Sequence, residues 1–193
     1  MQNNVNFVTG DSKVYHLGGN EWYAVEQDDS KVMLVDTDCK VADKALRTPW
    51  SDEDYRSEDG ENGQAVLDCC NNLVDTYFSS IKHAIEPRNV EAGACKLDNA
   101  YMWPMSYEEF NSNKVIGGKI VYNSLSFVWT RTFSGINSGN YRCAWGVYSV
   151  SGDLSDGGYV SNVYRVAPAF NLKKSSIICI NSDGEIVLKP ENN

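Results

Sequence analysis

The hydrophobic pattern takes on helical spacing over only one long stretch of this chain. Val66, Cys70, Leu73, Val74, Tyr77, Ile81 and Ile85 recur at intervals of four, three and one, the stripe of an amphipathic helix. Asn62 is placed to cap its start and Pro87 to stop it, so the spacing predicts a long helix over 62–86. Both flanks read as short strands. On the N-terminal side, Val14–Leu17 runs into the turn signal Gly18-Gly19-Asn20. Glu21–Glu26 then alternates, with Trp22, Ala24 and Glu26 on one face. Asp28-Asp29-Ser30 turns the chain into Lys31–Asp36. These form an N-terminal hairpin unit over 1–40.

Beyond the long helix, Ser106-Tyr107-Glu108-Glu109 is a capping box opening a short helix that Asn111-Ser112-Asn113 ends. Candidate strands follow at 119–122, 126–131, 142–150, 158–161, 164–172, 176–180 and 185–188. Asn181-Ser182-Asp183-Gly184 is a hairpin turn joining the last two. No repeat and no linker interrupts the 193 residues. The expectation is one α+β domain over 1–193, with a twisted antiparallel β-core, one long and one short helix, and a β-rich half over 117–190.

Charge narrows the partners. Seventeen Lys and Arg stand against 26 Asp and Glu, for a net charge of −9. A nucleic-acid binder needs a basic footprint, and an anionic membrane surface prefers one; neither is visible. No apolar run is long enough to insert into a membrane. Met1–Asn6 has neither the basic nor the apolar region of a signal peptide. Synthesis in the cytoplasm is therefore expected, with association to a virion or a cell surface left open. The segment 51–62 (SDEDYRSEDGEN) carries six acidic residues against Arg56 alone. It reads as a solvated loop, because it fails the EF-hand pattern.

The six cysteines, Cys39, Cys69, Cys70, Cys95, Cys143 and Cys179, form no CxxC pair, and the only histidines are His16 and His83. Free buried thiols are expected, with no metal and no cofactor. Asp36 and Asp38 form a D-x-D pair at a strand end, read as a turn rather than a cation site. No nucleophile elbow, phosphate loop or H-E-x-x-H motif is present.

Composition changes between Trp129 and Asn171. Six Gly, six Ser, four Asn and four Tyr fall in this stretch, and Lys and Glu are absent. Tyr offers rigid amphipathic contact, and Ser and Asn offer adaptable hydrogen bonds, as on recognition surfaces. Ordinary β-turn loops share this composition. Trp129, Val147 and Phe170 are expected in the core. The expected ligand-binding residues are Asn137, Asn140, Tyr141, Arg142, Tyr148, Asp153, Tyr159, Asn162 and Tyr164, with Asp156 among the exposed neighbours.

The runs 127–132 (FVWTRT), 144–152 (AWGVYSVSG) and 164–172 (YRVAPAFNL) together resemble a signature of a family of uncharacterised domains in phage, prophage and gut-bacterial surface proteins. Its pattern is roughly W-L-R-S, then V-x-x-D-G, then G-V-R-P-A-L-x-L. Leu17–Val25 with Lys31–Asp36 is similar to that family's opening hairpin, and Trp103–Phe110 to its F-L-L-S-x-E-E segment. The family is similar to C-type-lectin-like folds, including formylglycine-generating-enzyme-like domains and retroelement-diversified receptor-binding proteins. The resemblance implies a C-type-lectin-like mixed fold with a loop-rich binding face in its C-terminal third. Arg165-Val166-Ala167-Pro168 separates an Arg and a Pro that the family places side by side. The Glu-Pro-Asn and Trp-Asn-Asp calcium motifs of C-type lectins are absent.

The expected function is non-catalytic recognition of a host-surface protein or glycan by a module of phage or mobile-element origin. The alternative is a structural part of a phage tail or bacterial surface, self-associating as a homo-oligomer. A formylglycine-type enzyme using Cys143 and Cys179 is the weakest reading.

Overall fold

The structure is a computed structural model that describes residues 5–10, 13–112, 127–148 and 153–191. The strands are β1 (Val14–Leu17), β2 (Asn20–Gln27), β3 (Lys31–Asp36), β4 (Lys40–Val41), β5 (Lys44–Ala45), β6 (Arg47–Thr48), β7 (Ile85–Glu86), β8 (Arg88–Ala92), β9 (Cys95–Ala100) and β10 (Trp103–Pro104). They continue as β11 (Phe127–Ile136), β12 (Arg142–Tyr148), β13 (Leu154–Tyr159), β14 (Tyr164–Val166), β15 (Pro168–Lys173), β16 (Ile177–Ile180) and β17 (Ile186–Leu188). The helices are α1 (Gln64–Asn71), α2 (Leu73–Tyr77) and α3 (Tyr107–Ser112). The molecule is one α+β domain dominated by strands.

Two sheets organise it. The first runs β1-β2-β3-β15-β10, with β7 also pairing β15. Its turns use the chemistry the sequence announced. Gly18 and Gly19 adopt positive φ between β1 and β2, and Asp28 Oδ1 accepts the N–H groups of Ser30 and Lys31 before β3. Strand β3 is buried on both faces. Val32 and Leu34 join the main core, while Met33 and Val35 join a second one with Phe110 of α3, Val128, Val147 and Ala169. That explains its run of four apolar residues, since alternation is lost when both faces are covered. A bulge between Ala24 and Glu26 turns Glu26 out and Val25 in, so Glu26 does not share the buried face of Trp22 and Ala24.

The second sheet runs β13-β12-β11-β14-β6. Its β11–β14 pair is parallel, a departure from the all-antiparallel core expected. The run expected as one strand over 164–172 divides at Ala167-Pro168. Tyr164–Val166 pairs in the second sheet and Pro168–Lys173 in the first. Pro168 has no N–H to extend a ladder, so this break passes the chain from one sheet to the other. The C-terminal hairpin β16–β17 forms as expected and meets β1 through a bridge between His16 and Glu185. The strand expected at 119–122 lies outside the described residues.

The long helix expected over 62–86 is instead three short pieces: α1, α2 and a 3-10 turn at Ser79–Ala84. The stripe itself is right: Val66, Cys70, Leu73, Val74, Ile81 and Ile85 are all buried. Tyr77 is the exception, at 41% exposed. Phe78 takes the inward position beside Trp22, with ring centroids 5.7 Å apart, and its backbone leaves the helical region at φ −120 and ψ 21. Ile85 then enters β7 and pairs with Leu172. The capping box on α3 is formed in both directions. Glu109 N donates to Ser106 Oγ at 3.1 Å, and Ser106 N donates to Glu109 Oε2 at 2.8 Å.

Three buried indoles tie elements to carbonyls. Trp22 Nε1 reaches Leu17 O, Trp50 Nε1 reaches Thr130 O, and Trp129 Nε1 reaches Thr48 O. Trp129, Val147 and Phe170 are core residues, as expected.

Candidate recognition face

The nine expected ligand-binding residues divide between the two ends of β12. At its start, the β11–β12 turn is built by Asn137. Its Oδ1 accepts the N–H groups of Gly139 at 2.9 Å and Tyr141 at 3.1 Å, and its backbone N–H donates to Tyr141 O. Asn140 sits at φ 61, a left-handed conformation that Asn tolerates better than most residues. Asn137 thus holds the turn with its side-chain oxygen, a structural role that composition could not separate from ligand contact.

Arg142 is not a surface contact. Its residue is 5% exposed. Nη1 donates to Arg56 O at 3.0 Å, and Nε stands 3.9 Å from Glu61 Oε1 without a hydrogen bond. Its backbone N–H donates to Tyr55 O at 2.7 Å. Arg142 therefore anchors the acidic segment 51–62 onto the second sheet. Trp50 N and Ser51 N add bonds to Val160 O. The segment is a docked element with exposed carboxylates, rather than the free solvated loop its charge suggested.

That docking delivers Tyr55, which the sequence reading did not select. The Tyr55 and Tyr159 rings stack at 5.0 Å with an 18° interplanar angle. Tyr141 meets Tyr55 edge-on at 5.0 Å and Tyr159 edge-on at 5.6 Å. The Arg56 guanidinium lies 4.8 Å from the centre of the Tyr55 ring. All three rings are half-buried. They form a rigid aromatic platform beside the β11–β12 turn, where Ile136 is 48% exposed. The overlooked signal was a lone Tyr within an acidic run.

At the other end of β12, Tyr148 N donates to Asp153 O. Tyr148 is 52% exposed and meets Phe127 at 5.2 Å. Tyr164 packs on Phe127 and Trp129, each at 4.9 Å, and its hydroxyl accepts Asn162 Nδ2 at 3.1 Å. Tyr164 and Asn162 therefore support one another. Gly146 and Gly158 are required here, since a Cβ on either would lie 2.1 Å from Phe127 or 2.4 Å from Trp129. Tyr148 and Asp153 remain exposed at this end, apart from the tyrosine platform.

Elsewhere, several titratable groups are buried. Burial pushes the thiols of Cys39, Cys69, Cys70, Cys95 and Cys143 up, away from thiolate chemistry. Cys143 lies in β12 and Cys179 in β16, in different sheets. Cys179 is exposed and Cys69 half-buried, so only four of the six thiols are buried as expected. Asp36 is the buried member of the D-x-D pair. Its carboxyl accepts Asp38 N, Lys40 N and Asn20 Nδ2, which fixes the turn. Burial first, and then Asp38, push its pKa up to about 7.

A polar cleft of about 420 Å³ lies beside Arg88 and Arg131. Both arginines are paired there with Glu109, at 2.9 Å and 3.0 Å. Among the described residues, no group of three or more His, Cys, Asp or Glu converges as metal ligands. Among them too, no helix is long and apolar enough to cross a membrane. Compared with known protein families, with curated proteins and with solved structures, the chain matches none.

Proposed function

We propose that this chain is a non-catalytic recognition module whose binding face is the Tyr55–Tyr141–Tyr159 platform and the adjoining β11–β12 turn. The observation that carries this reading is the platform itself. Three half-buried tyrosines are locked ring against ring at the surface, with Tyr55 also resting on the edge of the core. Rigid tyrosines give contact area at a small entropic cost, which suits binding. The resemblance to phage, prophage and gut-bacterial domains supports a host-surface protein or glycan as the ligand. It also supports a C-type-lectin-like reading of the fold, with its loop-rich face in the C-terminal third.

Binding of the labelled chain to intact gut-type bacterial cells tests the reading. The comparison is a Tyr55→Ala/Tyr141→Ala/Tyr159→Ala variant that keeps its circular-dichroism spectrum, each form with and without EDTA. Saturable binding that is lost in the variant is expected. Equal binding by both forms would sink the platform as the site.

A second reading draws on the opposite end of β12. Tyr148 and Val163 are 52% and 58% exposed, and a structural component would cover such side chains against neighbouring copies. Sedimentation of the wild type and of Tyr148→Ser separates the readings, because only an assembly part should lose self-association in the variant.

A further inference from the structure

Exposed carboxylates lie along the segments that carry Tyr55 and Tyr159. Asp52, Glu53, Asp54, Glu58 and Asp59 are exposed on the segment that carries Tyr55, and Asp156 is exposed on β13 near Tyr159. Among the described residues, none of these six side chains has a cationic partner within 4 Å. The one arginine of the segment, Arg56, lies over the Tyr55 ring instead of against a carboxylate. Tyrosine faces attract cations through the negative potential of the ring. The chain's own arginine thus shows how this surface receives a positive group. The five exposed carboxylates of this segment and Asp156 on β13 give these elements an excess of negative charge, which attracts a cationic partner.

Resting on the binding reading above, we infer that the platform's partner is a lysine- and arginine-rich segment of a protein. Its cationic groups would stack on the tyrosines and pair with these carboxylates. An anionic glycan is the poorer fit, because it would meet like charge. Attraction of this kind speeds encounter and selects partners by charge. It weakens with salt because the carboxylates are exposed.

The test uses the full chain and a short fluorescent peptide in which Lys and Arg alternate with Gly, Ser and Tyr. A peptide with Glu at every cationic position and a set of neutral oligosaccharides serve as competitors. Three variants are compared. One is Tyr55→Ala/Tyr159→Ala. One is neutralised by Asp52→Asn/Glu53→Gln/Asp54→Asn/Glu58→Gln/Asp59→Asn. The third removes charge at distant exposed sites through Asp29→Asn/Asp98→Asn/Asp183→Asn.

Saturable, salt-sensitive binding of the basic peptide is expected. It should weaken about tenfold or more in the tyrosine variant and in the neutralised variant, and stay unchanged in the remote variant. Equal loss in the neutralised and remote variants, or no loss in the tyrosine variant, would mean diffuse charge attraction and would overturn the inference. Competition by an oligosaccharide with none by unlabelled basic peptide would also overturn it. In the cell assay, loss of binding in the tyrosine variant with none in the neutralised variant would remove the cationic partner and leave the recognition module standing. Loss in neither would remove both.

Discussion

Two clusters of three aromatic rings can be set side by side. In the core, Trp22 meets Phe170 at 4.8 Å and Phe78 at 5.7 Å, and all three are fully buried. At the β11–β12 turn, Tyr55, Tyr141 and Tyr159 meet at 5.0 to 5.6 Å and remain half-exposed. The ring spacing is nearly the same. What differs is the surroundings and the hydroxyl. The core rings are covered by aliphatic side chains from both sheets and the helices. The tyrosines sit on a hydrogen-bonded turn and a docked acidic segment. Similar ring geometry therefore serves packing in one place and, on our reading, contact with a partner in the other.

The comparison breaks most sharply at Phe170. Phe170→Ala should cost about 3–5 kcal/mol, because a buried ring leaves a cavity its neighbours cannot fill. Urea denaturation checks this, and a loss under about 1 kcal/mol would mean the core ring is no more structural than the surface ones.

Asp36 pairs with Trp22 in register and shares its burial. Its folded pKa, near 7, stands above the usual carboxylate value. Stability from this group is therefore fully present below the unfolded value near 4 and is lost as pH rises to about 7, by on the order of a few kcal/mol. Melting curves across that window should show a fall in the wild type that Asp36→Asn flattens. Parallel curves would remove Asp36 as the cause.

Gly158 sharpens the comparison from the other side, since it seats Trp129 beneath the second sheet. Gly158→Ala should destabilise by about 1–3 kcal/mol through overpacking. A neutral result by thermal melting would show that the sheet relaxes freely.

The smallest stability effect belongs to the surface cluster. Tyr159→Ala should cost about 1 kcal/mol, in line with the loss of ring–ring contacts beyond area burial. A loss as large as that of Phe170→Ala would erase the distinction between the clusters and weaken the recognition reading.

Local chemistry was largely legible in the sequence. The capping box at Ser106, the turn at Gly18-Gly19 and the hairpin at Asn181–Gly184 form as their residues require, because each depends on a few adjacent side chains. The helical stripe from Val66 to Ile85 correctly identified buried positions. It missed that Phe78 competes with Tyr77 for the inward place and unwinds the backbone. The candidate face was half legible. Composition located Tyr141 and Tyr159, yet it could not distinguish Asn137 and Tyr164, which hold the structure, from residues free to touch a partner. Tyr55 and the buried role of Arg142 depend on a contact between segments far apart in sequence, and no local pattern encodes that.

The placement of β15 has a consequence for how the molecule comes into being. This strand lies between β3 and β10 and also pairs β7, yet β3 ends at Asp36 and β15 begins only at Pro168. While the chain emerges from the ribosome, the apolar edge of β3 waits for a neighbour made about 130 residues later. Until then the opening meander presents an unpaired edge, a natural target for chaperones and for mispairing with other nascent chains. Such long-range closure favours slow, cooperative folding. Truncation before Pro168 should leave a sticky remnant rather than a smaller folded unit.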